Sequence, residues 1–302
     1  MEKAATERSD HVTRESAARA VLLIVIAGLS FSLVGVAVRL SGDVPLYEKV
    51  FFRSVFSLAA TGHIAARNRS NPFRPTNRVP FLILRGVFGT TAMTLYFYAV
   101  ENLAIGDATV LNKLSPFFVV LFAMLFLKER LSRYAIPALA CAFAGAALVV
   151  QPQLDMRAAP AAAGVLSAAA SGGAYTVVRS LRGKEPPYMI VFYFALVASV
   201  AMIPPMLARY VAPTPLELLL LLGAGLFATV GQLCLTFAYH QAPATKISIY
   251  NYAHVIFAFV AGFALWGEVP DAVGVSGAAI IIAAAFYNHR RVVTERMVPP
   301  PA

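Results

Sequence analysis

The chain of 302 residues is 59% hydrophobic and only 13% charged, with a mean hydropathy of +0.70, whereas soluble domains hold about 45 to 50% apolar residues. That composition excludes an ordinary soluble enzyme or binding domain. The formal charge of +10 does not point to nucleic acid, because the basic residues sit in breaks between apolar runs and form no patch on a soluble surface.

The first 19 residues mix both signs of charge and lead into a long apolar run without a small-residue cleavage site. This predicts an uncleaved first span and not a signal peptide. From there the apolar runs predict ten helices, over 18–40, 45–66, 79–100, 108–128, 133–151, 158–180, 187–208, 216–239, 245–266 and 271–288. A run of about 20 residues rising 1.5 Å each covers a hydrocarbon layer of roughly 30 Å. The breaks carry their own chemistry: Asn71, Pro72 and Pro75 after the second run, Gln151 and Pro152 after the fifth, Pro186 and Pro187 before the seventh, Pro213 and Pro215 before the eighth. Cys141 and Cys234 fall inside apolar helices and read as small buried hydrophobes, with no disulfide framework.

Lysine and arginine set an orientation. With the N-terminus cytoplasmic, 18 of the 25 fall on that side, against 4 on the other (Arg39, Lys49, Arg157 and Arg209), while Arg53, Arg85 and Lys113 lie within helices. Both termini are therefore expected in the cytoplasm.

The chain is also doubled. Residues 107–131 return as 246–270 at a constant offset of 139, placing Asn112 on Asn251, Ser115 on His254, Phe118 on Phe257 and Glu129 on Glu268. The same offset pairs Gly86 with Gly225, Phe88 with Phe227, Thr90 with Thr229, Ala99 with Ala238 and Ala144 with Ala283, and an offset of 140 pairs Arg39 with Arg179. Five spans per half is an odd number, so the second half enters from the opposite side of the bilayer. The expected fold class is an all-α integral membrane protein whose ten transmembrane helices form two inverted five-helix repeats. The expected boundaries are a cytoplasmic tail over 1–17, repeats over 18–151 and 152–290, and a second cytoplasmic tail over 291–302.

Each half closes with an apolar fourth helix ending in Leu-x-Glu or Trp-x-Glu (Leu127 to Glu129, Trp266 to Glu268), followed by an Ala/Gly-rich fifth helix. Together with Arg53 of the second helix and Pro116 of the fourth, this resembles the EamA group of the drug/metabolite transporter superfamily, over about residues 18–290. The resemblance implies a multi-pass carrier of the bacterial inner membrane, with a central cavity lined largely by helices 1, 3, 4, 6, 8 and 9. It does not select a substrate, since relatives are associated with amino acids, nucleosides, S-adenosylmethionine and riboflavin. Tyr193 occupies the place in the seventh helix where a counterpart of Arg53 would fall, so the arginine is not doubled.

Polar groups inside a bilayer need protein or water partners, which makes them the site candidates. Asn112 with Ser115, and Asn251 with His254, share helix faces by i, i+3 spacing. They are predicted either to line a cavity or to join helices by hydrogen bonds. Lys113 either faces the cavity or snorkels along its own stem, and Arg53 and Arg85 are candidate charge anchors. Tyr98, Tyr175 and Tyr250, with Tyr96, Tyr239 and Tyr252, offer flat walls, and Gln232 a further polar contact. The Gly172 and Gly173 pair permits close helix approach, and Glu129 and Glu268 read as interfacial ion-pair members. All five aspartates lie in tails or loops, and the helices offer no metal cluster, no Walker-type loop and no Ser/His/Asp arrangement. No metal, organic cofactor or ATP is therefore expected, and the protein is not read as an enzyme. The partners expected are a small-molecule metabolite and the lipid bilayer, with no nucleic acid. The expected function is secondary transport of small polar or amphipathic metabolites by alternating access. On the resemblance, export of amino acids or related metabolites leads, uptake of a nucleoside-like metabolite such as S-adenosylmethionine or riboflavin is the alternative, and a polytopic membrane enzyme is more remote.

Overall fold

The structure, a computed structural model, describes residues 2–74, 76–127, 135–150, 158–181, 183–241 and 248–297. Helix α1 spans Glu2–Leu40, α2 Leu46–Arg67, α3 Val79–Asn102, α4 Ile105–Asn112, α5 Ser115–Leu127 and α6 Ala135–Val150. In the second half α7 spans Ala158–Leu181, α8 Pro187–Ala208 and α9 Pro215–Gln241. A 3₁₀ turn over Ser248–Tyr252 then leads into α10, Ala253–Trp266, and α11 spans Ala272–Met297. Pro80, Pro187 and Pro215 sit in first turns, where a missing N–H costs nothing. Gly267, at φ 65°, closes α10 in the left-handed conformation.

The ten predicted spans are all present as helix, with one correction. The fourth and ninth are each two pieces and not one continuous helix: α4 gives way to α5 across Lys113 and Leu114, and the 3₁₀ turn gives way to α10 at Tyr252. Pro116 explains the first break, because it has no N–H to offer the Asn112 carbonyl four residues back and its ring disfavours helical backbone at Ser115. The second break contains no proline. Its polar and β-branched residues, Ser248, Ile249 and Asn251, are weak helix formers, and the chain winds more tightly there.

Among the described residues, six spans are long and apolar enough to cross a bilayer by length and composition: Ala18–Leu40, Val79–Asn102, Ile105–Phe126, Ala158–Leu181, Pro187–Ala208 and Pro215–Ala238. α6, α10 and α11 contribute shorter apolar stretches, and α2 carries Glu48, Lys49 and Arg53, all buried. Mid-helix apolar residues such as Leu166, Val200, Ile256 and Val260 face outward. An apolar exterior on this scale fits a lipid solvent and not water. Cys141 lies on that exterior, correcting its expected burial, while Cys234 is half-buried.

The packing is two-fold. α1 lies on α9 as α3 lies on α7; α2 meets α9 as α8 meets α3; α10 meets α1 as α5 meets α7; and the pairs α2 with α8 and α6 with α11 are their own counterparts. Exchanging the two halves returns each of these principal packings. The α6 and α11 backbones touch at Gly145 and Gly277, where a Cβ on Gly145 would lie 2.7 Å from the Gly277 carbonyl oxygen and one on Gly277 2.5 Å from that of Gly145. The loops repeat the relation. Tyr188, opening α8, hydrogen-bonds Ser70 beyond α2 at 2.9 Å, and Tyr47, opening α2, donates to the Arg209 carbonyl beyond α8.

Candidate functional site

The two helix breaks fall at matching places, Asn112 to Ser115 in the first half and Asn251 to His254 in the second. The first begins about 10 Å into its span at 1.5 Å per residue from Ile105. α4 packs against α10, and the Phe259 ring of α10 closes over Gly106 of α4. The breaks therefore share one interior region, formed with α1 and α7.

Asn112 ends α4 and donates from Nδ2 to the Ser167 Oγ of α7 at 2.9 Å. Ser167 in turn donates to the Gly164 carbonyl at 2.8 Å, so the pair ties the first break to α7. Lys113 caps α4, its N–H bonded to the Thr109 and Val110 carbonyls, and its side chain is buried at 9% exposure. It pairs with no carboxylate among the described residues. A buried cation without a partner is costly, by up to about 2.5 to 3.5 kcal/mol on insertion scales where it lies deepest in a bilayer. Ser115 starts α5 and is buried.

In the second break Asn251 is half-buried within the 3₁₀ turn and His254 is buried in the first turn of α10. Nε2 of His254 has no hydrogen-bond partner among the described residues. Its ring lies 6.0 Å from that of Phe31 of α1, and the Lys113 ammonium acts on it electrostatically. α1 comes this close because residue 28 is glycine: a Cβ there would lie 3.0 Å from the His254 backbone nitrogen.

The arginines form a second group. Arg53 and Arg85 are 5% and 4% exposed, and both face the Phe194 ring of α8, at 5.4 and 4.5 Å from its centroid. Tyr175 of α7 lies within electrostatic reach of Arg85 and packs on Ala20, Ile24, Ala27, Leu235 and Ala238.

Other candidates lie apart. Tyr98 and Tyr250 are 37% and 43% exposed, although Tyr250 belongs to the 3₁₀ turn of the second break. Gln232 is half-buried on α9, and its carbonyl accepts from Thr236 Oγ1 at 2.6 Å. Tyr252 is buried in the apolar core around Leu111 and Val255. Tyr96 hydrogen-bonds Thr109 of α4 at 2.9 Å. Gly172 admits Phe118 of α5 and Gly173 admits Phe88 of α3, a packing role. Glu129 and the side chain of Tyr239 lie outside the described residues. Glu268 pairs with Arg39 and accepts the Ile105 N–H at 3.1 Å, while the Arg39 guanidinium lies 4.6 Å from the Trp266 ring. The Trp-x-Glu motif thus ties together the ends of α1, α4 and α10. Ser167 and Thr109, both partners of site residues, carry no signal in the sequence beyond being hydroxyls in apolar helices.

Residues 18–151 and 159–288 each match the EamA-like transporter family. The chain is 36% identical over 279 residues to the pseudopaline exporter CntI of Pseudomonas aeruginosa, covering 89% of this chain and 95% of that protein. It is 30% identical over 279 residues to a riboflavin transporter of Rhizobium johnstonii, covering 89% and 90%. It is 27% identical over 242 residues to an S-adenosylmethionine uptake transporter of Rickettsia bellii, covering 80% and 82%. A solved crystal structure, 18% identical, shares the fold with a TM-score of 0.65 over 93% of this chain and 99% of that one. The doubled bundle, its paired helix breaks and these likenesses identify the chain as a multi-pass membrane protein that belongs to the EamA-like transporter family.

Proposed function

We propose that the chain is a secondary carrier that exports carboxylate-bearing small metabolites, amino acids or their derivatives, across the bacterial inner membrane by alternating access. The observation that carries this reading is Lys113: a buried cation with no carboxylate partner among the described residues, placed at a helix break that recurs in the other half. Broken helices at the interface of inverted repeats are where such carriers bind their solutes. A carboxylate 4 Å from the ammonium would gain about 4 kcal/mol at an effective dielectric near 20, comparable to the cost of burying the lysine. Solute and site then offset each other's desolvation. The Ser115 end of α5 adds the positive end of a helix dipole to the same place. Export is favoured over uptake because the exporter of Pseudomonas aeruginosa is 36% identical, against 30% and 27% for the riboflavin and S-adenosylmethionine transporters.

The test is transport by Lys113→Met, which keeps much of the stem's apolar volume and removes the charge. Efflux of the carboxylate-bearing solute should fall while the amount of protein in the membrane does not. Normal transport by that variant, or preference for a permanent cation without an anionic group, would remove the reading. Its topology is tested separately by reporter fusions, which should place both termini in the cytoplasm, as expected from the 18 to 4 distribution of Lys and Arg.

A further inference from the structure

Arg53 of α2 and Arg85 of α3 converge on one ring, Phe194, and the charge of each acts against the other. What they lack is an acceptor. Among the described residues, Nε of both and Nη1 of Arg85 have no hydrogen-bond partner, and Nη1 of Arg53 reaches only the Met93 sulfur. No carboxylate pairs with either guanidinium among the described residues. The seat is shaped for the charge: one turn after Arg85 comes Gly89, where a Cβ would lie 2.2 Å from Arg85 Nη1 and 2.8 Å from the Phe194 ring.

Two like charges held out of water with several N–H groups unsatisfied form an unfavourable arrangement, which one aromatic face compensates only in part. We infer that Arg53 and Arg85 form an oxyanion subsite that takes a carboxylate of the carried solute, separate from the helix break around Lys113. A guanidinium fork matches a carboxylate with two parallel hydrogen bonds. The two cationic centres stand along one wall. Ser167 of α7 holds Asn112, and Tyr175 of the same helix, eight residues or about 12 Å further on, lies within electrostatic reach of Arg85. An anion moving along α7 would meet Lys113 and the arginine pair in turn. This rests on the transport reading above and gives it a second stop for the same chemical group.

The experiment is thermal unfolding of the purified full chain in phosphatidylcholine nanodiscs, with succinate and with its uncharged diamide. Succinate at ten times its dissociation constant should raise the midpoint by about 3 °C, and the diamide should not. Arg85→Met should raise the midpoint without succinate, because it removes an unpaired buried charge, and should abolish the succinate increment. Arg53→Met should do the same, and Arg85→Lys should retain a reduced increment. Lower midpoints in both methionine variants, with the increment intact, would make the pair structural and overturn the subsite. Phosphatidylglycerol that raises the midpoint as succinate does, leaving succinate nothing to add, would make the anion a lipid headgroup and also overturn it. An increment lost in Lys113→Met but kept in Arg85→Met would put the carboxylate at the helix break, ending this inference and leaving the carrier reading intact. An increment that depends on Arg85 in a protein that moves no solute in proteoliposomes would do the reverse.

Discussion

The two helix breaks occupy equivalent places in the repeats but are built differently. In the first, a proline removes a hydrogen bond and the residue at the break is a buried lysine. In the second, no proline is present, the chain tightens into a 3₁₀ turn, and the corresponding stretch brings in an imidazole. Their supports differ too. The first is held to α7 by the Asn112 to Ser167 hydrogen bond, whereas the second is packed against α1 at Gly28 and Phe31. The geometry of the doubled fold has been kept while its chemistry has diverged. A carrier that works by rocking one repeat against the other needs matched hinges, but it needs only one fixed charge to choose the sign of its solute.

The comparison breaks most sharply at the charge. Lys113→Met should lower transport of a carboxylate-bearing solute about 10- to 100-fold, the loss of roughly 1.4 to 2.8 kcal/mol of a pair interaction partly offset by desolvation. His254→Gln should lower it less, since the imidazole supplies no carboxylate-pairing charge of its own. Initial rates in proteoliposomes measure both. Equal losses at the two positions would mean that the breaks are chemically equivalent after all.

Access is the next distinction. In a background without Cys141 and Cys234, cysteines at 112 and 251 should react with a water-soluble thiol reagent in at least one orientation of the carrier. Cysteines replacing Ala140 of α6 and Ala279 of α11, both on the outer surface, should not. Inertness at all four positions would leave the breaks as packing elements.

The supports give smaller effects. Gly28→Ala sets a methyl 3.0 Å from a backbone nitrogen, and a backbone gives way poorly. It should destabilise by about 1 to 3 kcal/mol as an overpacked site. Gly164→Ala meets the buried Leu111 side chain, Cδ1 at 2.9 Å and Cβ at 3.2 Å, a clash with a side chain and not with backbone. A gain in helix propensity of about 1 kcal/mol should offset part of it, so this variant should lose less than Gly28→Ala. Denaturation midpoints of the two alanine variants test the difference. Asn112→Ala and Ser167→Ala should each cost about 1 kcal/mol, and the double variant should cost less than their sum, since both remove one hydrogen bond.

Much of this molecule was legible because a bilayer imposes strict rules on sequence. Ten apolar runs, their polar breaks and the 139-residue offset followed from composition and spacing alone, and the placement of Glu268 in an ion pair at a helix end followed from its position. The helix breaks were half legible. Pro116 marks the first, but the second has no residue that forbids a helix, and its 3₁₀ winding depends on what packs around it. The partners of the site residues were not legible, because Ser167 and Thr109 are 55 residues and 13 residues from the side chains they bond. Nor did helical periodicity place Tyr98 and Cys141 on the outside, since in a lipid solvent the outward face is as apolar as the core.

The sequence by itself determined that the chain is a doubled helical membrane protein with few buried charges, because twenty-residue apolar runs and an odd number of spans per half leave little choice of architecture. Only the tertiary structure decided what those charges meet. Lys113 stands at a break facing its counterpart from the other half, and Arg53 and Arg85, 32 residues apart in the chain, meet across one ring of α8. The reason is physical: a charge within a helix reads the same whether it faces lipid, a neighbour or a bound anion, and the choice among these is made by helices distant in sequence.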